Sequence, residues 1–80
     1  MTDAELAELV TRALCDVAPD LEGETIDPIR SFRDQFEIDS MDFLNFVVRL
    51  HKATGVDIPE QDYPKVQNLA GIVAYLRGQI

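Results

Sequence analysis

Eighty residues, 46% of them apolar, leave room for one small domain spanning residues 1–80 and no second core. A domain of this size buries only about 60% of the surface its unfolded chain exposes, so a substrate cleft walled on all sides is not expected. Fifteen acidic residues against seven basic ones give a formal net charge of −8, which repels nucleic acid and anionic membrane surfaces and favours a basic protein surface as partner.

The lone cysteine, Cys15, cannot close an internal disulfide. The acidic start Thr2-Asp3-Ala4-Glu5 is unlike a basic-then-apolar leader, and no apolar run approaches the roughly 18 residues of a membrane span. The expectation is a soluble, cytoplasmic monomer.

Thr2 and Glu5 have the spacing of a capping box. Leu6, Leu9, Val10, Ala13, Leu14 and Val17 then recur at helical spacing, and Pro19 ends the pattern. A first helix is predicted from about residue 3 to about 17, with Cys15 beside its stripe as a packed or half-exposed thiol. Residues 19–38 keep no period, and Gly23, Pro28 and four acids mark a loop. A loop of about 20 residues needs anchors in a small domain; Ile26, Ile29, Phe32, Phe36 and Ile38 are the candidates. Arg30 and Arg33 are expected to be solvated or paired with nearby acids.

A second helix is predicted from about Ser40 to Thr54, with Gly55 as a left-handed stop. At about 100° per residue its apolar positions divide into two stripes. Phe43, Phe46, Val47 and Leu50 share one arc suited to a core. Met41, Leu44 and Val48 occupy roughly the opposite side, where the long loop covers them or they stand exposed as a contact surface. Val56 to Pro59 form an extended link, followed by one helical turn from Pro59 to about Lys65 that packs Tyr63 and Val66 inward. Asn68 is a good N-cap for a last helix whose core stripe is Leu69, Ile72, Val73, Leu76 and Ile80, with Gly71 allowing close packing. The fold class is all-α, a small three- to four-helix bundle with a long first loop.

Catalytic chemistry is hard to assemble from these residues. His51, the single histidine, lies about 16 Å up the second helix from Ser40, beyond the ~3 Å of a serine–histidine pair. One Cys and one His do not make a zinc site of the usual kind. The acid-rich segment 34–45 lacks the alternating oxygen ligands and central glycine of a calcium loop, and no phosphate-binding glycine loop is present. Locally, Asp39 or Ser40 reads as a helix cap, with Asp42 complementing the dipole.

The wider context adds to this. The run Phe32-Arg33-Asp34-Gln35-Phe36-Glu37-Ile38-Asp39-Ser40-Met41-Asp42-Phe43 resembles the loop-to-helix signature of acyl carrier proteins. Thr54-Gly55-Val56-Asp57-Ile58-Pro59 resembles the family's exit from that helix, and Asn68 to Leu76 its last helix, so the resemblance covers nearly the whole chain. It implies an acyl-carrier-protein-like bundle and 4′-phosphopantetheine on Ser40, flanked by Asp39. A separate phosphopantetheinyl transferase would bring its own base and magnesium, and acyl-loading and acyl-transfer enzymes would dock through basic surfaces. Glu37, Met41, Asp42, Leu44 and Val48 then become partner contacts, and the protein a carrier of acyl thioesters rather than an enzyme.

Three positions depart from the pattern. Met41 replaces the usual leucine, a swap that conserves volume. Glu37 replaces a common glycine, so the turn before Ser40 is expected to differ. Asn45, Arg49, His51 and Lys52 stand where the family is usually acidic, which suggests a specialised carrier serving a dedicated ligase or transferase. A carrier of aminoacyl or peptidyl groups, and an unmodified helical adaptor using the Met41/Leu44/Val48 stripe, are the competing readings.

Overall fold

The computed structural model describes residues 1–79; Ile80, expected on the last core stripe, lies outside the described residues. Four α-helices and two 3-10 segments follow one another, with no strand among the described residues. Helix α1 (Asp3–Val17) starts with the reciprocal capping box: Glu5 N–H donates to Thr2 Oγ1 at 3.1 Å and Thr2 N–H to the Glu5 carboxylate at 2.9 Å. The second of these bonds holds the Glu5 carboxyl below its ordinary range. Leu6, Val10, Ala13 and Leu14 are buried, while Leu9 and Val17 pack half-buried at the margin.

The long connection is more ordered than its composition suggests. Pro19–Leu21 make a 3-10 turn that buries Leu21. Phe32–Gln35 form a short helix, α2, capped by Ser31, whose Oγ accepts from Asp34 N–H at 3.1 Å. Four residues are too few for a periodic signal, so this helix could not be read from the sequence. Of the expected anchors, Phe32 and Ile38 are buried and Ile26 and Phe36 are half-buried, but Ile29 is 71% exposed. Hydrogen bonds do what Ile29 does not. Phe32 N–H donates to Gln67 O at 2.8 Å, Ala70 N–H to Pro28 O at 2.9 Å, and Asn68 Nδ2 to Ile29 O at 2.8 Å. The Gln35 amide bridges Asp27, through both its N–H and its C=O, and the Arg30 carbonyl at 2.8 to 2.9 Å. The loop is thereby fastened to itself and to the start of the last helix.

Helix α3 (Ser40–Thr54) buries Phe43, Phe46, Val47 and Leu50. It ends at Gly55, whose φ of 75° suits glycine and whose N–H donates to His51 O at 2.8 Å. His51 is exposed, and its Nδ1 lies 3.1 Å from Val56 O at the helix exit. The segment Glu60–Val66 is 3-10 and longer than the single turn expected; Pro64 within it lacks the N–H that an α-helix would use. Asn68 caps α4 (Leu69–Gln79), its Oδ1 accepting from Gly71 N–H at 2.7 Å. Ile72, Val73 and Leu76 face the core, and α1 packs against both α3 and α4. Tyr75 donates to Asp62 at 2.7 Å and so ties the 3-10 segment to α4.

Gly71 is a close-approach position. A Cβ there would lie 2.6 Å from Lys65 O and 2.8 Å from Asn68 Oδ1, whereas one on Gly78 meets nothing within 4 Å. Gly71→Ala is expected to cost about 1–3 kcal/mol, and Gly78→Ala to be neutral or to gain up to about 1 kcal/mol. Urea unfolding of the two variants reads the difference.

The Tyr75–Asp62 bond sets both pH limits of this corner. Tyr75 donation, with Lys65 adding to it, lowers the Asp62 carboxyl. That contribution is complete above the ordinary carboxylate value of about 4 and is lost as pH falls through the depressed value. Acceptance by Asp62 raises the Tyr75 phenol, so its contribution is complete below about 10 and is lost as pH rises through the raised value. Melting temperatures across pH should show Tyr75→Phe removing the alkaline-side loss and shrinking the acid-side one, since Lys65 stays 3.4 Å from Asp62.

Candidate functional site

Asp39 is the cap of α3. Its backbone is extended (φ −87°, ψ −179°) and its Oδ1 accepts from Asp42 N–H at 2.9 Å. Ser40 is therefore the first helical residue, and the capping role left open between Asp39 and Ser40 falls to Asp39. The Ser40 side chain is exposed, and among the described residues its hydroxyl has no hydrogen-bond partner. At this position the Ser40 and Met41 N–H groups have no carbonyl one turn back within the helix, so two donors stay open at the positive end of the dipole beside the Asp39 carboxylate.

The approach to Ser40 needs no glycine. Ile38 N–H donates to Phe36 O at 3.0 Å, closing a tight three-residue turn centred on Glu37. Among the described residues no non-glycine has a positive φ, so this is the inverse form of the turn, open to any L-residue. Glutamate thus sits here without strain. Ile38, buried, pins the turn from below.

Beneath Ser40 lies a row of aromatic rings. Phe43, one turn along α3, meets Tyr63 edge-on at 5.5 Å and Phe46 at 6.1 Å, and Phe46 meets Phe32 edge-on at 5.5 Å. Beside the serine, Arg33, Ser40, Phe43, Leu44, Glu60 and Tyr63 border a hollow of about 280 Å³. Arg33, Glu60 and Tyr63 reach it from α2 and the 3-10 segment, so the sequence offered no spacing that would assemble them.

Of the expected contact residues, Glu37 and Asp39 are exposed and Asp42 is half-buried. Met41, Leu44 and Val48 are 66%, 43% and 50% exposed, so the loop does not cover the second stripe. Further along α3 the basic residues are partly engaged: Arg49 lies 3.8 Å from Asp16 of α1, while Lys52 stands without an ion pair among the described residues. His51 lies on α3 a rise of about 16 Å from Ser40. Cys15 is half-buried, and burial followed by Glu22 and Asp16 pushes its thiol up, keeping it protonated.

A family model described as the phosphopantetheine attachment site matches residues 6–76. The chain belongs to this acyl carrier protein family. The meromycolate extension acyl carrier protein of Mycolicibacterium aurum is 28% identical over 74 residues, 92% of this chain and 71% of that protein. Its counterpart in Mycobacterium tuberculosis is 32% identical over 57 residues, 71% of this chain and half of that protein. An acyl carrier protein of Thermosynechococcus vestitus is 22% identical over all 80 residues. Among solved structures, one chain from the crystal structure of the curacin biosynthetic pathway HMG synthase in complex with acetyl donor-ACP superposes with a TM-score of 0.75 at 20% identity, both chains fully covered. That likeness confirms the helical-bundle fold. As a member of the family the protein is a carrier and not an enzyme, and its cofactor is a covalent 4′-phosphopantetheine.

The carrier's exposed serine depends on the Asp39 cap for a formed first turn. Asp39→Ala is expected to cost about 1 kcal/mol and to speed amide exchange at Asp42 and Phe43 more than at Leu50.

Proposed function

We propose that this carrier holds acyl groups as thioesters on 4′-phosphopantetheine attached to Ser40, and delivers them to enzymes of fatty-acid, lipid or specialised acyl biosynthesis. The observation that carries the choice of residue is the contrast between the chain's two serines. The Ser31 hydroxyl is half-buried and engaged as the cap of α2; the Ser40 hydroxyl is exposed and unengaged. The surroundings also fit the group. A phosphodiester at Ser40 would meet the uncovered N–H groups and positive dipole end of α3.

The residues of this chain hold and present; they do not activate. His51 is at the far end of α3, so the proton of Ser40 Oγ leaves to a base on the phosphopantetheinyl transferase. The Oγ–phosphorus bond forms as the pyrophosphate bond of coenzyme A breaks, with adenosine bisphosphate as the leaving group. When bound, the group supplies a thiol at the end of a flexible arm, the point of acyl attachment.

Exposed Glu37 and Asp39, with Asp42 at the edge, supply acidic contacts for basic enzyme surfaces, and Met41, Leu44 and Val48 supply apolar ones. The relatives named for meromycolate extension support an acyl cargo over an aminoacyl one. Unpaired Lys52, with His51 and the Asp16-facing Arg49 in place of acids along α3, supports a specialised carrier, one that does not replace the housekeeping carrier in a full elongation cycle.

Incubation with coenzyme A and a broad-range transferase should add one phosphopantetheine mass, lost in Ser40→Ala and kept in Ser31→Ala. No addition by any transferase would sink the assignment. Leu44→Asp should still accept the group yet slow acyl loading by its dedicated enzyme about 10-fold or more, the scale of one interface anchor. Retained cellular function in Ser40→Ala alongside loss in Leu44→Asp would instead favour an unmodified adaptor.

A further inference from the structure

We infer that Arg33 is a built-in counter-cation for the phosphodiester of the prosthetic arm, holding the root of the arm against the cleft between α2, α3 and the 3-10 segment. The inference rests on Ser40 as the attachment residue. Its starting point is the ion-pair pattern. Arg12, Arg49, Lys65 and Arg77 each face a carboxylate within 4.0 Å, at 3.0, 3.8, 3.4 and 2.7 Å respectively. Arg30 donates to the Asp34 carbonyl at 3.1 Å. Two cationic side chains remain without an ion pair or a side-chain hydrogen bond among the described residues, Lys52 in the last turn of α3 and Arg33 beside Ser40.

The position of Arg33 gives its vacancy a direction. Arg33 borders two hollows, one lined by Ser40 and the other by Asp39. One, of about 280 Å³, contains Ser40, Phe43 and Tyr63; the other, of about 390 Å³, contains Glu37, Ile38 and Asp39. It is the one basic residue that borders either. Phe32, its neighbour, is fully buried and edge-on to Phe46, and Phe32 N–H is bonded to Gln67 O. The backbone of Arg33 is therefore fixed while its side chain stays at the surface.

The charge around Ser40 gives the residue its purpose. A phosphodiester on Ser40 is an added anion among Glu37, Asp39 and Asp42, with Glu60 across the hollow. The two open N–H groups of α3 offset part of that repulsion. A guanidinium beside them adds two parallel donors that match phosphate geometry. Pairing there would keep the first part of the arm over Phe43 and Tyr63 instead of leaving it to swing freely, which sets the direction from which an enzyme meets it. This makes Arg33 a positioning residue for the arm.

The test compares apo and cargo-free holo protein, with the holo form verified by intact mass. Using cargo-free protein separates pairing with the phosphate from pairing with a carboxylated acyl group. In holo wild type the Arg33 Nε–H proton signal should shift and exchange more slowly than in apo, and the 31P signal should shift between wild type and Arg33→Gln. The holo-minus-apo melting difference should drop by about 2–4 °C in Arg33→Gln, the scale of a surface ion pair in a domain of this size. It should drop less in Arg33→Lys, and the wild-type difference should shrink in high salt. The apo melting temperature of each variant serves as its own reference, so a merely structural loss cancels. Mass addition with an unmoved guanidinium signal and equal melting differences would overturn the pairing alone. Absence of mass addition would overturn the attachment reading and the pairing together.

Discussion

The contact on which the rest depends is the run of rings from Phe32 through Phe46 and Phe43 to Tyr63. It links three segments that are distant in sequence: the short helix inside the long connection, the helix that begins at Ser40, and the 3-10 segment before α4. The two edge-to-face contacts, Phe32–Phe46 and Phe43–Tyr63, fix relative orientation as well as distance. Phe43 is one helical turn from Ser40, so fixing that ring fixes where the serine emerges. Tight backbone bonds between the loop and residues 67–70 then prevent the connection from swinging across the site.

Charge is distributed to match. Four of the seven basic residues are paired with carboxylates at the surface. Such exposed pairs add little stability, but they mask positive charge and leave an acidic rim around Ser40. On the proposed reading that rim would speed encounter with basic enzymes, and the exposed Met41, Leu44 and Val48 would offer the apolar contact once an enzyme is in place. Arg49 shows the limit of reading charge from a helix in isolation: it looks like a free basic residue on α3, yet it faces Asp16 of α1.

The function of such a carrier explains what the fold omits. A serine without a histidine, and a cleft too shallow to enclose a substrate, are consistent with a protein whose chemistry is carried out by its visitors. On the proposed reading the fold must supply a hydroxyl that an enzyme can reach on a well-anchored backbone. The Asp39 cap, the unstrained turn at Glu37 and the buried Ile38 supply that together.

Periodic and capping chemistry determined much of this from the sequence alone. The capping box at Thr2, the stripe of α1, the bounds of α3, the left-handed stop at Gly55 and the Asn68 cap are all set within a few residues of chain, where spacing and side-chain chemistry act directly. The same local rules placed Ser40 at a helix start, and the whole-chain resemblance made it the proposed attachment residue. Tertiary structure decided the rest. The exposure of Ile29 and the order of the loop depend on hydrogen bonds to residues 67–70, from the Asn68 side chain and from backbone groups, which no local rule encodes. The choice of Asp39 over Ser40 as cap turns on the extended backbone of Asp39 and its bond to Asp42 N–H. The surface position of the second α3 stripe, and the meeting of Arg33, Glu60 and Tyr63 beside Ser40, follow from how separate segments pack, because contacts between them are fixed by geometry and not by neighbouring residues.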